Sequence, residues 1–327
     1  MAIYHLNIKP ISRSAGRSAP AAAAYRAGER IRDERTGALH NYSRRQDVSH
    51  TEILLPAQLA GTELAWAKDR AALWNAAERA ERQRNSRVAR EYEVALPAEL
   101  NPAQRLELAR SFARELADRH RVAIDLAIHE PRAAGDPRNH HAHLLATTRE
   151  VTAAGLAAKA GLDMNGSERR RRGLPAGIDE IKTIRERWGT LTNEALQAAG
   201  LEARVDHRTL RARGIDQEPM PKIPFAALQI ERRGVRSEVA ERIRAEYRTR
   251  VQARVERAAA MQFVARSEDA AGQPGAQSLE QLRRQAREAW LTMRHEAAKR
   301  PAAVALEHAA PEQGALQHNV QDKDIDL

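Results

Sequence analysis

The chain has 327 residues, with 54 Lys and Arg against 44 Asp and Glu, a formal net charge of +10 and no cysteine. This length allows two domains, and the lack of cysteine excludes disulfides and thiolate metal sites. No apolar stretch approaches the length of a bilayer span, and no signal-peptide-like segment begins the chain. We therefore expect a cytoplasmic protein without membrane insertion, whose arginine-rich surface binds a polyanion such as nucleic acid.

The first 150 residues alternate between predicted strands and helices. Strands are predicted at 2–9, 48–55, 90–97 and 122–129 and from residue 141 onward, and helices at 20–30, 63–84 and 101–117. Each strand has one apolar and one polar face, unlike the buried strands of a doubly wound sheet. The pattern predicts an α+β fold: a mainly antiparallel sheet with helices on one face and a working surface on the other.

Three histidines are expected on this working surface. His129 ends one predicted strand, and His141 and His143 begin the next, two residues apart. Residues two apart in a strand point to the same face, so a hairpin brings all three imidazoles together. An H-x-H pair alone is a weak motif. The hairpin partner strengthens it, and we predict that one metal ion binds all three.

Glu91, Glu93 and Asp125 also fall on the polar face of their strands. Paired carboxylates on one face are commonly an ordinary solvated edge. Next to a metal they can instead accept protons or act as outer partners of the imidazoles. The sequence leaves these roles open.

Tyr25 lies in a predicted helix that four alanines precede. These small residues leave space for a large substrate to reach the phenol, although for a single tyrosine the commoner arrangement is a ring packed on the sheet. A polar, basic loop spans residues 12–18. We expect Arg13, Arg17 and Arg26 to contact the backbone of a nucleic acid, because the guanidinium fork binds phosphate.

After residue 150 the chain becomes polar and arginine-rich. Residues 163–173 predict a flexible basic loop that contacts phosphates, and its four consecutive arginines are Arg169, Arg170, Arg171 and Arg172. Helices are predicted at 179–199, 235–266 and 279–299. The tail, 301–327, is predicted to be disordered.

Four motifs, taken in order, resemble the MobA/MobL relaxases of mobilizable plasmids, which are HUH endonucleases. The motifs are Ala-Ala-Tyr-Arg-Ala-Gly-Glu-Arg around Tyr25, the strand 91–97, Asn-x-His-x-His at 139–143, and Val-Asp-His-Arg-Thr-Leu at 205–210. The resemblance covers roughly residues 1–225, which we expect to be the nicking domain, followed by a charged helical region at 226–300. His140 stands where the family often has proline, but its strand phase points it away from the metal.

The resemblance implies an HUH relaxase-like fold with a five-stranded antiparallel sheet, and roles for the candidate residues. Tyr25 would be the nucleophile, Glu91 and Glu93 the acidic residues near it, and the three histidines the ligands of a divalent metal. Manganese or magnesium is expected in function, and zinc, nickel or cobalt is possible with imidazole ligands.

The same resemblance implies a function in conjugative mobilization. Such an enzyme nicks single-stranded DNA at a plasmid transfer origin through a 5′-phosphotyrosyl intermediate and religates it. Accessory mobilization proteins and a type IV secretion coupling protein are the expected partners, and the protein would work in the bacterial cytoplasm and could follow the DNA into the recipient cell. Two alternatives stay open: a rolling-circle replication initiator with the same chemistry, and a non-catalytic basic DNA-binding protein.

Overall fold

The computed structural model describes residues 2–132, 136–271 and 279–299. The chain divides into two compact units, Met1–Ile215 and Asp216–Leu327. Within the described ranges, no helix combines the length and the apolar character that crossing a membrane requires. The predicted disordered tail lies outside the described residues, and the domain boundary at residue 225 stays a prediction.

The first unit is organised around a five-stranded antiparallel sheet. The strands of the chain are β1 (Leu6–Ser12), β2 (Arg30–Arg32), β3 (Leu39–Asn41), β4 (Val48–Leu54), β5 (Arg87–Ala95), β6 (Ile124–His129), β7 (His141–Thr147), β8 (Arg149–Thr152) and β9 (Gly155–Lys159). The large sheet has the order β1-β5-β7-β6-β4, and every neighbouring pair is antiparallel. The predicted sheet is therefore confirmed. Sequence alternation did not detect the two small hairpins, β2–β3 and β8–β9.

Helices surround this sheet and make up the described part of the second unit. They are α1 (Ala19–Ala27), α2 (Ala65–Lys68), α3 (Arg70–Ala80), α4 (Pro102–His120), α5 (Gly166–Arg171), α6 (Gly177–Ala198), α7 (Phe225–Arg232), α8 (Glu238–Ala271) and α9 (Leu279–Lys299). The helix predicted at 63–84 is broken at Asp69, whose side chain accepts the Ala72 N–H and caps α3. The loop predicted at 163–173 contains α5.

One face of the sheet packs against α4 and α6. Tyr92, Val94, Leu126 and Leu144 are buried there together with Phe112 of α4 and Trp188 of α6. Their burial follows from the period-two pattern, and each large apolar side chain contributes roughly 1.5–3 kcal/mol. The predicted start of α4 is confirmed, since Asn101 and Gln104 form a capping box there.

The opposite face is partly covered as well, which differs from the prediction of helices on one face. Here α1 and α3 pack on small or apolar positions of the sheet, among them Ala89, Ala123 and Leu145. An alternating strand looks the same in sequence whether its second face meets water or an alanine-rich helix. At the end of this face where β6 finishes and β7 begins, His141 is partly exposed.

Candidate metal centre and its neighbouring tyrosine

Strand register brings the three predicted histidines to one end of the sheet. His129 of β6 lies opposite His141 of β7, and His143 lies opposite Glu93 of β5. The ring centroids are 4.6 Å apart for His129 and His143, and 5.2 Å apart for each of the other two pairs. One ring nitrogen from each histidine lies within 4.8 Å of the others, so the cluster can hold a metal ion.

One ring nitrogen of each imidazole lies within hydrogen-bond distance of a carbonyl or carboxylate oxygen of the protein. The contacts are His129 Nε2 to the Arg26 carbonyl at 2.7 Å, His141 Nδ1 to the Asn139 carbonyl at 3.0 Å, and His143 Nδ1 to Glu91 Oε1 at 2.7 Å. Carbonyl and carboxylate oxygens only accept, so these three nitrogens carry the hydrogen. The second nitrogen of each ring keeps its lone pair, which is the state that binds a metal. On His129 this lone pair faces Arg45 Nη2 at 3.3 Å, so a metal would take the place of that contact. The donor set therefore fits a divalent ion.

Burial keeps two of the imidazoles neutral. It is the largest influence on His129 and, with the charges of His143 and Arg45, lowers its pKa to about 3. Burial also lowers the pKa of His143, outweighing the carboxylate beside it. A neutral imidazole does not have to lose a proton before it binds a metal, so these two ligands are ready at neutral pH.

Glu91 is fully buried and surrounded by cationic and imidazole groups. Its Oε1 accepts from Arg26 Nε and His143 Nδ1, and Lys9 Nζ lies 3.1 Å from Oε2. Burial opposes ionisation, but the hydrogen bond to His143 and the charge of Arg26 outweigh it and hold the pKa of Glu91 well below its usual range. Such a carboxylate is a poor proton acceptor. Of the roles left open by the sequence, its contacts favour that of an outer partner of His143.

Glu93 is more accessible and touches no imidazole among the described contacts. Its Oε2 lies 3.0 Å from Lys9 Nζ. Burial would raise the pKa of Glu93, but Lys9 outweighs it and lowers it. Lys9 thus joins the two carboxylates on β5. Lys9 meets these carboxylates because β1 and β5 are neighbours in the sheet. The two strands are far apart in the sequence, so the sequence alone did not predict this contact.

Tyr25 lies near the C-terminal end of α1 and is half-buried, and the carbonyl of the next residue, Arg26, accepts from His129 Nε2. Its ring centroid is 5.2 Å from that of Tyr42 in an edge-to-face arrangement, and the guanidinium carbon of Arg45 lies 4.3 Å from the Tyr25 centroid. Arg45 Nη2 also lies 3.3 Å from His129 Nδ1. The same arginine therefore touches the candidate nucleophile and a candidate metal ligand. Sequence reasoning missed Tyr42 and Arg45, since their segment reads only as a loop.

Two further polar residues near this end of the sheet have other partners. Asp125 was expected on the working surface but is buried, bound by Arg70 and by Trp74 Nε1 at 2.8 Å. His140 points away as predicted, with Nδ1 2.8 Å from Glu130 Oε2, and is not part of the histidine cluster. A cleft of about 350 Å³ opens beside His141, lined also by Glu93.

The arginines predicted to contact phosphate divide into two groups. Arg13 binds Glu78 and the carbonyls of residues 81 and 83, Arg26 binds Glu91, and Arg169 is buried against the carbonyls of residues 161 and 175. These guanidinium groups are engaged within the protein. Arg171 and Arg172 pair with Glu168 at the surface, and the Arg17 and Arg170 side chains form no hydrogen bond or ion pair within the described ranges. The sequence alone does not separate the two groups, because an arginine contributes the same charge to the composition whether it is paired inside the protein or exposed to solvent.

Comparison with known proteins gives one consistent set of relatives. The model of the MobA/MobL family matches residues 17–233. Mobilization protein MobL of Acidithiobacillus ferridurans is 42% identical over 254 residues, which are 71% of this chain and 65% of that protein. The probable mobilization protein MobA of Bifidobacterium longum is 32% identical over 269 residues, 73% of this chain and 46% of that protein. The matched region thus spans less than two thirds of either relative.

A solved structure shares both sequence and fold with the chain. Its description reads "Molecular Basis of Vancomycin Resistance Transfer in Staphylococcus aureus". It is 31% identical to this chain in sequence and superimposes on it with a TM-score of 0.54. The similarity covers 64% of this chain and 100% of that one.

Proposed function

The chain belongs to the MobA/MobL family, and on that premise we propose that it is a relaxase of conjugative mobilization. It would nick one DNA strand at a plasmid transfer origin, remain attached to it and later rejoin it. The relatives named as mobilization proteins support this assignment. So does a site that contains the groups such a reaction needs.

One observation carries the proposal: three imidazole rings cluster at one end of the sheet, and one arginine links this cluster to a tyrosine. Arg45 lies 4.3 Å from the centroid of the Tyr25 ring and 3.3 Å from His129 Nδ1, so a single side chain spans the two. A non-catalytic DNA-binding protein has no use for this pairing. A metal-assisted transesterase needs both parts.

The reaction exchanges one phosphodiester for another. Tyr25 Oη attacks the scissile phosphorus, the bond from phosphorus to the 3′-oxygen breaks, and a bond from phosphorus to Oη forms. The phenol loses its proton and the departing 3′-oxygen gains one, which gives a 5′-phosphotyrosyl adduct and a free 3′-hydroxyl. Because the number of ester bonds is unchanged, attack by a 3′-hydroxyl on the adduct reseals the strand.

His129, His141 and His143 would hold a divalent ion, which when bound would bind non-bridging phosphate oxygens and stabilise their negative charge. Manganese or magnesium is the proposed ion, and zinc, nickel and cobalt also accept imidazole ligands. Glu91 would keep the His143 lone pair directed at the ion. Glu93, the more accessible carboxylate, is the remaining candidate to accept the phenol proton.

The DNA would lie along the end of the sheet that carries the histidines and along the cleft beside His141. The half-buried Arg17 and the exposed Arg170, Arg171 and Arg172 are the proposed backbone contacts. We leave Arg13 and Arg169 out of this surface because their guanidinium groups bind the protein. Accessory mobilization proteins and a type IV coupling protein are proposed partners, and the bacterial cytoplasm is the proposed location, with transfer into the recipient as a further possibility to test.

The test is a nicking reaction on the supercoiled plasmid that encodes the protein, with manganese and a detergent quench. We expect open-circle DNA with covalently attached protein from the wild type and none from Tyr25→Phe. This control is sharp, because phenylalanine keeps the contacts with Tyr42 and Arg45 and removes only the hydroxyl.

Other results would change the assignment in defined ways. An adduct from Tyr25→Phe would make Tyr42 or Tyr247 the next candidate, since Tyr92 is fully buried and the Tyr4 hydroxyl donates to the Arg185 carbonyl. Tight binding with no nick from the wild type, even with accessory proteins added, would contradict a relaxase. An adduct formed only at a replication origin would indicate a replication initiator.

A further inference from the structure

The segment between β3 and β4 holds Tyr25 at several points. Arg45 stacks on the Tyr25 ring at 4.3 Å, and its Nη1 donates to the Tyr25 backbone carbonyl at 2.7 Å. Tyr42 packs edge-on against the same ring. One short loop, residues 42–47, therefore contacts both the ring and the backbone of the candidate nucleophile.

This loop is itself anchored. Asp47 accepts two hydrogen bonds from Arg45, at 2.8 Å from Nε and 2.6 Å from Nη2, and its backbone carbonyl accepts from the N–H of Glu130, just after β6. A bidentate pair of this kind fixes the plane of the guanidinium group. Arg45 is thus oriented before any substrate arrives.

The loop also lies close against the end of α1. Gly28 caps that helix with a φ of 66°, and a Cβ there would lie 3.3 Å from Val48 Cγ2 and 3.6 Å from Arg45 Cβ. The Tyr42 N–H donates to the Glu29 carbonyl at 3.0 Å. These contacts leave little room for the loop and the helix end to move apart.

We propose that Arg45 is a positioning residue that sets the direction of the Tyr25 hydroxyl toward the metal centre. This inference rests on the proposed function. All three guanidinium nitrogens already bind protein groups, and the side chain is only 12% exposed, so Arg45 is poorly placed to bind a DNA phosphate. Its bonds to Asp47 and to the Tyr25 carbonyl do not depend on the His129 lone pair, so they persist when a metal takes that lone pair.

The expected effect is on the rate of attack and not on affinity. Misplacing a reacting group by about 1 Å can slow a reaction on the order of 10²-fold. Arg45→Met removes the guanidinium group that stacks on the Tyr25 ring and the hydrogen bond that this group donates to the Tyr25 carbonyl. We expect adduct formation about 10²-fold slower than wild type at saturating single-stranded origin DNA, with an unchanged Kd.

The experiment measures single-turnover adduct formation with manganese and a fluorescent origin oligonucleotide, and Kd by anisotropy in chelator. Arg44→Met is the matched control, because Arg44 is exposed and its side chain forms no hydrogen bond or ion pair within the described ranges. We expect Arg44→Met to form the adduct at the wild-type rate when the DNA is saturating. Asp47→Asn, which keeps one acceptor oxygen and loses the charge, should fall between Arg45→Met and wild type.

Two outcomes overturn the inference. A wild-type rate for Arg45→Met excludes a positioning role, and a weaker Kd with an unchanged saturating rate makes Arg45 a DNA contact instead. If Arg45→Met fails to fold by thermal melting, Arg45→Lys decides: a slower rate at wild-type Kd supports the inference, and equal rates reject it. Failure of the wild type to form any adduct would instead reject the proposed function.

Discussion

At the scale of single residues, the partner of each ring nitrogen determines what an imidazole can do. His129, His141 and His143 each donate one N–H to a carbonyl or a carboxylate. The other ring nitrogen therefore keeps the lone pair: Nδ1 in His129, and Nε2 in His141 and His143. Glu91 is the one charged partner among these acceptors, so it has the greatest effect on the basicity of its imidazole.

Replacing Glu91 with Gln should weaken metal binding. The amide keeps the shape of the carboxylate but removes the charge that Arg26 and His143 share. Loss of an outer partner of this kind typically costs 10–100-fold in metal affinity, and we expect an effect of about that size. Titration of the purified protein with manganese, followed by calorimetry, measures it.

Glu130→Gln is the matched control for Glu91→Gln. Glu130 pairs with His140, an imidazole outside the cluster, and its replacement also removes one negative charge near the site. Equal losses of affinity in the two variants would mean that net charge, and not the bond to His143, governs metal binding.

At the scale of elements, one buried ion pair and one hydrogen bond attach α3 to the sheet. Arg70 and Trp74 project from α3 onto Asp125 of β6, four residues before His129. Burial raises the pKa of Asp125 despite the charge of Arg70. The carboxylate therefore depends on these donors, and α3 is held in one position over β6.

Replacing Trp74 with Phe should destabilise the first unit by about 1–3 kcal/mol, because a buried carboxylate loses one donor. The ring still fills most of the same space. Urea unfolding followed by circular dichroism measures the free energy. Trp66→Phe is the control, since Trp66 is only partly buried and makes no side-chain hydrogen bond among the described contacts. An equal loss in Trp66→Phe would attribute the effect to indole packing.

At the scale of the whole molecule, the sheet, the histidine cluster and Tyr25 all belong to the first unit, Met1–Ile215. The long helices α8 and α9 belong to the second unit and have arginine-rich sequences. We expect the first unit to carry out the reaction alone. The second unit as a whole is nearly neutral, with 18 Lys and Arg against 17 Asp and Glu in residues 216–327. We propose that individual arginines of α8 and α9 contact phosphates and add affinity for DNA.

A fragment of residues 1–225 should form the adduct at the wild-type saturating rate. Its Kd for origin DNA should rise, and the slope of log Kd against log salt should become shallower, because fewer phosphates are neutralised. Single-turnover kinetics and anisotropy at several salt concentrations test both points. A folded fragment that forms no adduct would contradict the placement of the whole reaction in the first unit.

The sequence by itself determined what depends on local periodicity. Period-two alternation located the five long strands, and the His-x-His spacing placed His141 and His143 on one face whatever their surroundings. The cap at Asn101 could be identified because it is formed by residues three apart. The strand predicted at 2–9 runs instead from Leu6 to Ser12 and includes Pro10, since the edge of a sheet tolerates a missing donor.

Only the tertiary structure decided which residues meet across separate segments. The convergence of Tyr25, Arg45 and His129 joins a helix, a loop and a strand, and no spacing in the chain encodes it. The burial of Arg13 and Arg169 has the same cause, because their partners lie on other elements and the composition cannot distinguish a paired guanidinium from a solvated one. Local pattern therefore determined the strands and the ligand types, and long-range packing determined which nitrogen, which carboxylate and which arginine serve the site.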